Sequence, residues 1–162
     1  MRPPLLPAEV LARVVRVARF DGLSVLVLAG TFALLKAIDQ QAAFAVIGLA
    51  AAGAGALELH GVNQLGHADT RGVRWLLASQ PILLAAVLAY CALRLKSPDV
   101  PPIPEALRSL VAFSAGQLGL SVEAYLRFVQ QITISVLAIV SAAVQGGMFL
   151  YYWRRRSAIQ QA

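Results

Sequence analysis

Four long apolar runs alternate with short polar breaks along the chain, and the two together predict helices rather than strands. The first run covers roughly 20–38. Ahead of it, Glu9 to Arg19 places Val10, Leu11, Val14, Val17 and Ala18 on one side and Arg13, Arg16 and Arg19 on another. A basic amphipathic helix in front of a span lies in the headgroup region, so an interfacial helix is expected over 9–19. Lys36 near the end of the run can snorkel outward. A cleaved signal peptide is the rival reading; the late start of the run and the lack of an Ala-x-Ala site after Lys36 favour a retained span.

Asp39-Gln40-Gln41 forms a polar turn into a second span, 42–59, built from alanine and glycine. Gly48, Ala52 and Ala56 recur every fourth residue, as do Ala51 and Gly55, a spacing that lets helix backbones approach closely in lipid. Gly61 is the expected helix stop. The third span, 75–93, is uncharged throughout, with Pro81 expected to kink it. Arg94 and Lys96 close it, and Ser97 to Pro102 reads as a stiff non-helical linker.

The 104–127 segment is amphipathic without spanning. Leu107, Leu110, Val111 and Leu118 share a face opposite Glu105 and Arg108. After Gly119, Ser121 is placed to cap a second helix whose apolar face is Val122, Tyr125, Leu126 and Val129. That helix is expected to continue into the last span, 128–153. The span ends on Tyr151, Tyr152 and Trp153, aromatic anchors for a membrane interface, followed by Arg154, Arg155 and Arg156.

The predicted fold is therefore an all-α integral membrane four-helix bundle, residues 1–162 forming one domain. Four spans put both termini on one side. Arg2, Arg13, Arg16, Arg19, Arg71, Arg74 and Arg154–Arg156 fall there, outnumbering Lys36, Arg94, Lys96, Arg108 and Arg127 on the other. The excess of positive charge puts the termini in the cytoplasm and the amphipathic pair across the outer mouth. A bacterial cytoplasmic membrane is the expected location.

Composition agrees: 59% of residues are hydrophobic and only 14% charged, with a mean hydropathy of +0.70. The net charge of +6 resides at the ends of apolar runs, which argues against nucleic acid and for contact with anionic headgroups. The lone Cys91 allows no internal disulfide.

Two sets of residues carry candidate chemistry. Glu58, His60, His67 and Asp69 are metal-ligand types clustered around the second break. Their spacing fits a helix stop, a turn and a cap better: Glu58 and His60 diverge on a helix, and Asp69 or Thr70 suits the start of the third span. Glu58 is expected to pair with Arg71 or Arg74 at the membrane surface. The second set is a polar layer of Ser24, Gln80 and Gln145, which in lipid would join helices by hydrogen bonds or line a pathway. No acid or base is placed well inside a span, Asp21 sitting at the edge of the first, which weighs against ion-coupled transport. No catalytic, metal or cofactor motif is present. The leading expectation is a non-enzymatic membrane subunit, without cofactor, that self-associates or joins a membrane partner through the small-residue face of the second span. A channel or transporter and a metal-dependent membrane enzyme are the alternatives.

Overall fold

The computed structural model describes residues 7–97 and 104–160. These form five helices: α1 Pro7–Ile38, α2 Ala42–Gly66, α3 Gly72–Lys96, α4 Glu105–Gln117 and α5 Val122–Gln160. All but α4 are long and apolar enough to cross a membrane. At ~1.5 Å per residue, the 25 residues of α2 and of α3 exceed the ~30 Å hydrocarbon core. Large apolar side chains cover the outside: Leu23, Val27, Leu28 and Leu34 on α1, and Ile132, Val136, Ile139 and Val140 on α5. Exposed apolar faces of this kind on single helices are the expected surface for lipid and a costly one in water.

Three boundaries differ from the sequence expectation. The 9–19 segment is no separate interfacial helix: α1 is continuous, and Val10, Val14 and Ala18 are buried against Val62, Leu65, Val73, Leu76, Tyr152 and Ile159. Protein, not the headgroup region, covers that apolar face. The second helix does not stop at Gly61 but runs to Gly66, where His67 and then Ala68, at φ 60°, end it. The last span extends beyond Trp153 to Gln160 within one 39-residue helix. The proline linker and the N-terminal Pro-rich start lie outside the described residues.

The chain divides into two compact parts. The first comprises 1–90 with 141–162. Its helices approach at glycines: a Cβ on Gly55 would lie 2.7 Å from the carbonyl oxygen of Gly22, and one on Gly61 2.8 Å from that of Gly72. A Cβ on Gly48 would come within 2.9 Å of Phe32. The expected small-residue stripe on α2 is thus real, although Ala56 lies outside it, exposed. Tyr90 meets Phe32 and Phe44 edge-to-face at 5.8 and 5.7 Å. α3 passes Pro81 as unbroken helix; the missing N–H takes away the helical donor of the Leu77 carbonyl.

The second part comprises 91–140. α4 ends in a turn where Leu120 N–H donates to the Ala115 carbonyl at 3.0 Å and Gly119 takes φ 65°. Ser121 caps α5 as expected, its Oγ accepting from Ala124 N–H at 3.2 Å. Glu123 and Arg127 pair at 2.6 Å one turn on, and Gln130 donates to the Arg94 carbonyl at 3.3 Å.

Candidate functional site: a buried carboxyl layer

The buried face of α2 reads Gly48, Ala51, Ala52, Ala54, Gly55, Glu58, Gly61, Val62 and Leu65. One acid therefore lies on the stripe where the backbones of neighbouring helices come closest. Because α2 continues past Gly61, Glu58 sits ~12 Å from the end of the helix rather than at its last turn. It is 1% exposed. Gln80, likewise ~12 Å from the start of α3, is also 1% exposed, and Tyr152 of α5 is wholly buried.

These side chains meet. Tyr152 O–H donates to Glu58 Oε1 at 2.5 Å, and Gln80 Nε2 donates to the same oxygen at 3.4 Å. Gln80 Nε2 also donates to Ser79 Oγ at 3.3 Å, whose own hydroxyl donates to the Leu76 carbonyl at 2.9 Å. The carboxyl of Asp21, half-buried on α1, lies beside Glu58 and Gln80. Each of the four long apolar helices thus supplies at least one polar group to a single layer, α3 supplying both Ser79 and Gln80.

Apolar packing closes the layer on both sides. Toward the α2–α3 turn lie Val62, Leu65 and Leu76 with Val14 and Ala18. In the opposite direction lie Ala51, Ala54, Leu83 and Ala86, packed with Val25 and Ala29. Within the layer the donors are few. Asp21 Oδ2 and Gln80 Oε1 are buried and accept no hydrogen bond. No arginine, lysine or histidine forms an ion pair with either carboxyl among the described residues. Two neighbouring carboxylates, one buried and one half-buried, would be unfavourable if both were ionised without a cation, through desolvation and mutual repulsion together. A proton or a metal cation between them removes the repulsion.

The four expected metal-ligand candidates do not converge. Glu58 faces the bundle instead of pairing with Arg71 or Arg74. His60 is exposed on α2, its Nε2 2.9 Å from Gln64 Nε2 and its ring edge-on to Trp75 at 5.3 Å. His67 Nδ1 lies 2.8 Å from the Asn63 carbonyl, and Asp69 Oδ1 accepts from Arg71 N–H at 2.9 Å, ordering the turn before α3. Among the described residues no three histidines, cysteines or acids are gathered as a metal-binding group.

The expected Ser24–Gln80–Gln145 layer is also redrawn. Gln80 joins the carboxyls; Ser24 is half-buried one turn beyond Asp21; Gln145, two turns before Tyr152, keeps a buried Oε1 without a donor and makes no bond to Gln80. Of the aromatic anchors, Tyr152 is a core residue and not an interface anchor. Trp153 is 44% exposed, stacked on Phe149 and covered by Arg156 at 3.9 Å, while Arg155 lies over Tyr151 at 4.5 Å. Arg154 lines a shallow groove with Tyr151 and Arg155, and Arg16 and Arg19 line another with Phe20 and Leu23. Asp21 and Tyr152 are the site residues that sequence reasoning missed. Comparison with known protein families, curated proteins and solved structures found no match.

Proposed function

We propose that this integral membrane protein takes up and releases a proton at the Asp21–Glu58 pair, as the working site of a small ion-coupled transporter. The juxtaposition of the buried Glu58 carboxyl and the half-buried Asp21 carboxyl, with no ion-pair partner among the described residues, carries the reading. Ionisable side chains inside a membrane are costly and seldom present without a task. Tyr152 orients Glu58 by donating to Oε1, at a length typical of a charge-assisted O–H···O bond, and Gln80 supports the same oxygen. One proton shared by the two carboxyls leaves a single negative charge in the layer. Its departure restores the repulsion and favours a rearrangement of α1 against α2.

An assembly role draws less support than the sequence suggested. The small residues that motivated it are occupied within the chain, Gly55 against Gly22, Gly48 against Phe32 and Ala33, and Gly61 against Gly72. Both termini are assigned to the cytoplasmic side of a bacterial membrane, with the two arginine-lined grooves contacting anionic headgroups. The charge asymmetry of the flanks supports this. Labelling of Ser157→Cys from inside only, and of Ser97→Cys from outside only, is the expected result.

The decisive test is proton flux in proteoliposomes under an imposed pH gradient, followed with a trapped dye. Glu58→Gln keeps the side chain's size and is expected to lower flux at least about tenfold. Equal flux in the two proteins would overturn the proposal.

A further inference from the structure

We infer that the α5 groove headed by Arg154 and Arg155 holds one anionic phospholipid per chain, its phosphate on the guanidiniums and an acyl chain across Gly147. This deepens the headgroup contact proposed above and rests on it. The groove measures about 490 Å³ and is lined by Gly147, Leu150, Tyr151, Arg154 and Arg155. These positions recur at three- and four-residue intervals on one helix, so they share a face ~12 Å long, apolar at one end and cationic at the other.

Two features set this face apart from an ordinary positive flank. The first is a hollow at its apolar end. A Cβ on Gly147 would meet nothing within 4 Å, and Leu150 beside it is 52% exposed. Gly147 belongs to the uncharged stretch 128–153, so the hollow opens toward lipid chains and not toward water. The second is the placing of the charge. Arg155 lies over the Tyr151 ring at 4.5 Å, which holds its guanidinium at the head of the groove.

Charge complementarity selects the occupant. No acidic side chain follows Glu123 in the sequence. Among the described residues the ion pairs are Lys36–Asp39, Glu105–Arg108 and Glu123–Arg127, and none engages Arg154 or Arg155. A phosphate accepts paired bonds from a guanidinium. A soluble anion would meet the arginines and leave the apolar end empty, whereas a zwitterionic lipid would fill that end but bring its own cation. An amphiphile with net negative charge matches both ends.

The α1 groove supplies the contrast. Arg16 and Arg19 line it, but no glycine hollows it, Phe20 stands 77% exposed within it, and the Asp21 carboxyl follows Arg19 by two residues.

The test is native mass spectrometry of the full-length protein from mild detergent micelles, titrated with phosphatidylglycerol or with phosphatidylcholine of the same chains. Phosphatidylglycerol is expected to saturate at one per chain, and phosphatidylcholine to bind at least about tenfold more weakly. Arg154→Gln with Arg155→Gln should raise the half-saturating lipid concentration about tenfold or more. Gly147→Leu, which fills the hollow and keeps every charge, should raise it comparably. Arg16→Gln with Arg19→Gln should leave it within about twofold. In case the α5 variants fold poorly, the unfolding temperature of the unaltered protein gives a second measure: it should rise with phosphatidylglycerol and not with soluble glycerol phosphate. Equal stabilisation by glycerol phosphate would overturn the lipid assignment. Unchanged binding in Gly147→Leu, or equal losses from the α1 and α5 arginine pairs without saturation, would overturn the site and leave a diffuse headgroup contact standing. No preference for phosphatidylglycerol over phosphatidylcholine would remove the headgroup reading as well.

Discussion

Two neighbouring regions of the same hairpin treat polar residues in opposite ways. Around the turn between α2 and α3, His60, His67 and Asp69 are exposed and meet partners locally, Gln64, the Asn63 carbonyl and Arg71 N–H in that order, and of these groups only Gln64 Oε1 is left bare. Two helical turns into the bundle, Glu58 and Gln80 are buried and bonded across helices, and two acceptors remain bare. The turn has more of the residue types associated with metal sites. The interior has the unmet electrostatic demand. Density of reactive side chains along a sequence is thus a poorer guide to chemistry than the mismatch between donors and acceptors once the chain is folded.

The sharpest way to break this contrast is through the glycines that hold the hairpin together. Gly72→Val should be the most damaging change near the turn, costing about 3 kcal/mol or more, because its side chain would meet the Gly61 carbonyl and Leu65. A shift in unfolding temperature in detergent measures it; a stability equal to the unaltered protein would show that the backbones need not be so close. Next in size is Tyr152→Phe. It strips Glu58 of its nearest donor and should cost about 1–3 kcal/mol while lowering proton flux. Asp69→Ala should cost only about 1 kcal/mol, the usual loss for a helix-start acceptor, and leave flux within about twofold. Smallest of all, His67→Ala should change stability by about 0.5 kcal/mol or less. Added zinc should then leave the unfolding temperature unchanged in either protein. A zinc-dependent rise abolished by His67→Ala would reverse the comparison and make the turn the functional site.

The four spanning helices were legible because long apolar runs with polar breaks have one economical reading. So were the close-packing stripe on α2 and the Ser121 cap, both of which rest on local spacing. The site was not legible, and one residue accounts for most of the error. Gly61 looks like a helix terminator, but its missing side chain serves contact with Gly72, and the helix carries on to Gly66. Ending α2 early moved Glu58 to the surface. Dividing α1 near Phe20 did the same to Asp21, which is mid-helix in the continuous α1. A usable signal was present: Glu58 falls three residues after Gly55, Val62 four after Glu58 and Leu65 three further, so the acid lies on the packed face of its helix. Tyr152 was obscured by its neighbours. Placed among Tyr151, Trp153 and three arginines it resembles a belt residue, and only the direction of α5 turns it inward.

Pro81 follows Gln80 directly, and this gives α3 a mechanical character that α2 lacks. Pro81 leaves one rung of the α3 backbone ladder missing close to the Gln80 carboxamide, where a helix bends at least cost. Bending there swings the amide oxygen through an arc, while Glu58 stays on an uninterrupted helix in backbone contact with its neighbours. One partner of the Gln80–Glu58 hydrogen bond thus sits beside a proline and the other on an uninterrupted helix, so a change in the curvature of α3 would alter that contact before it altered the packing of α2.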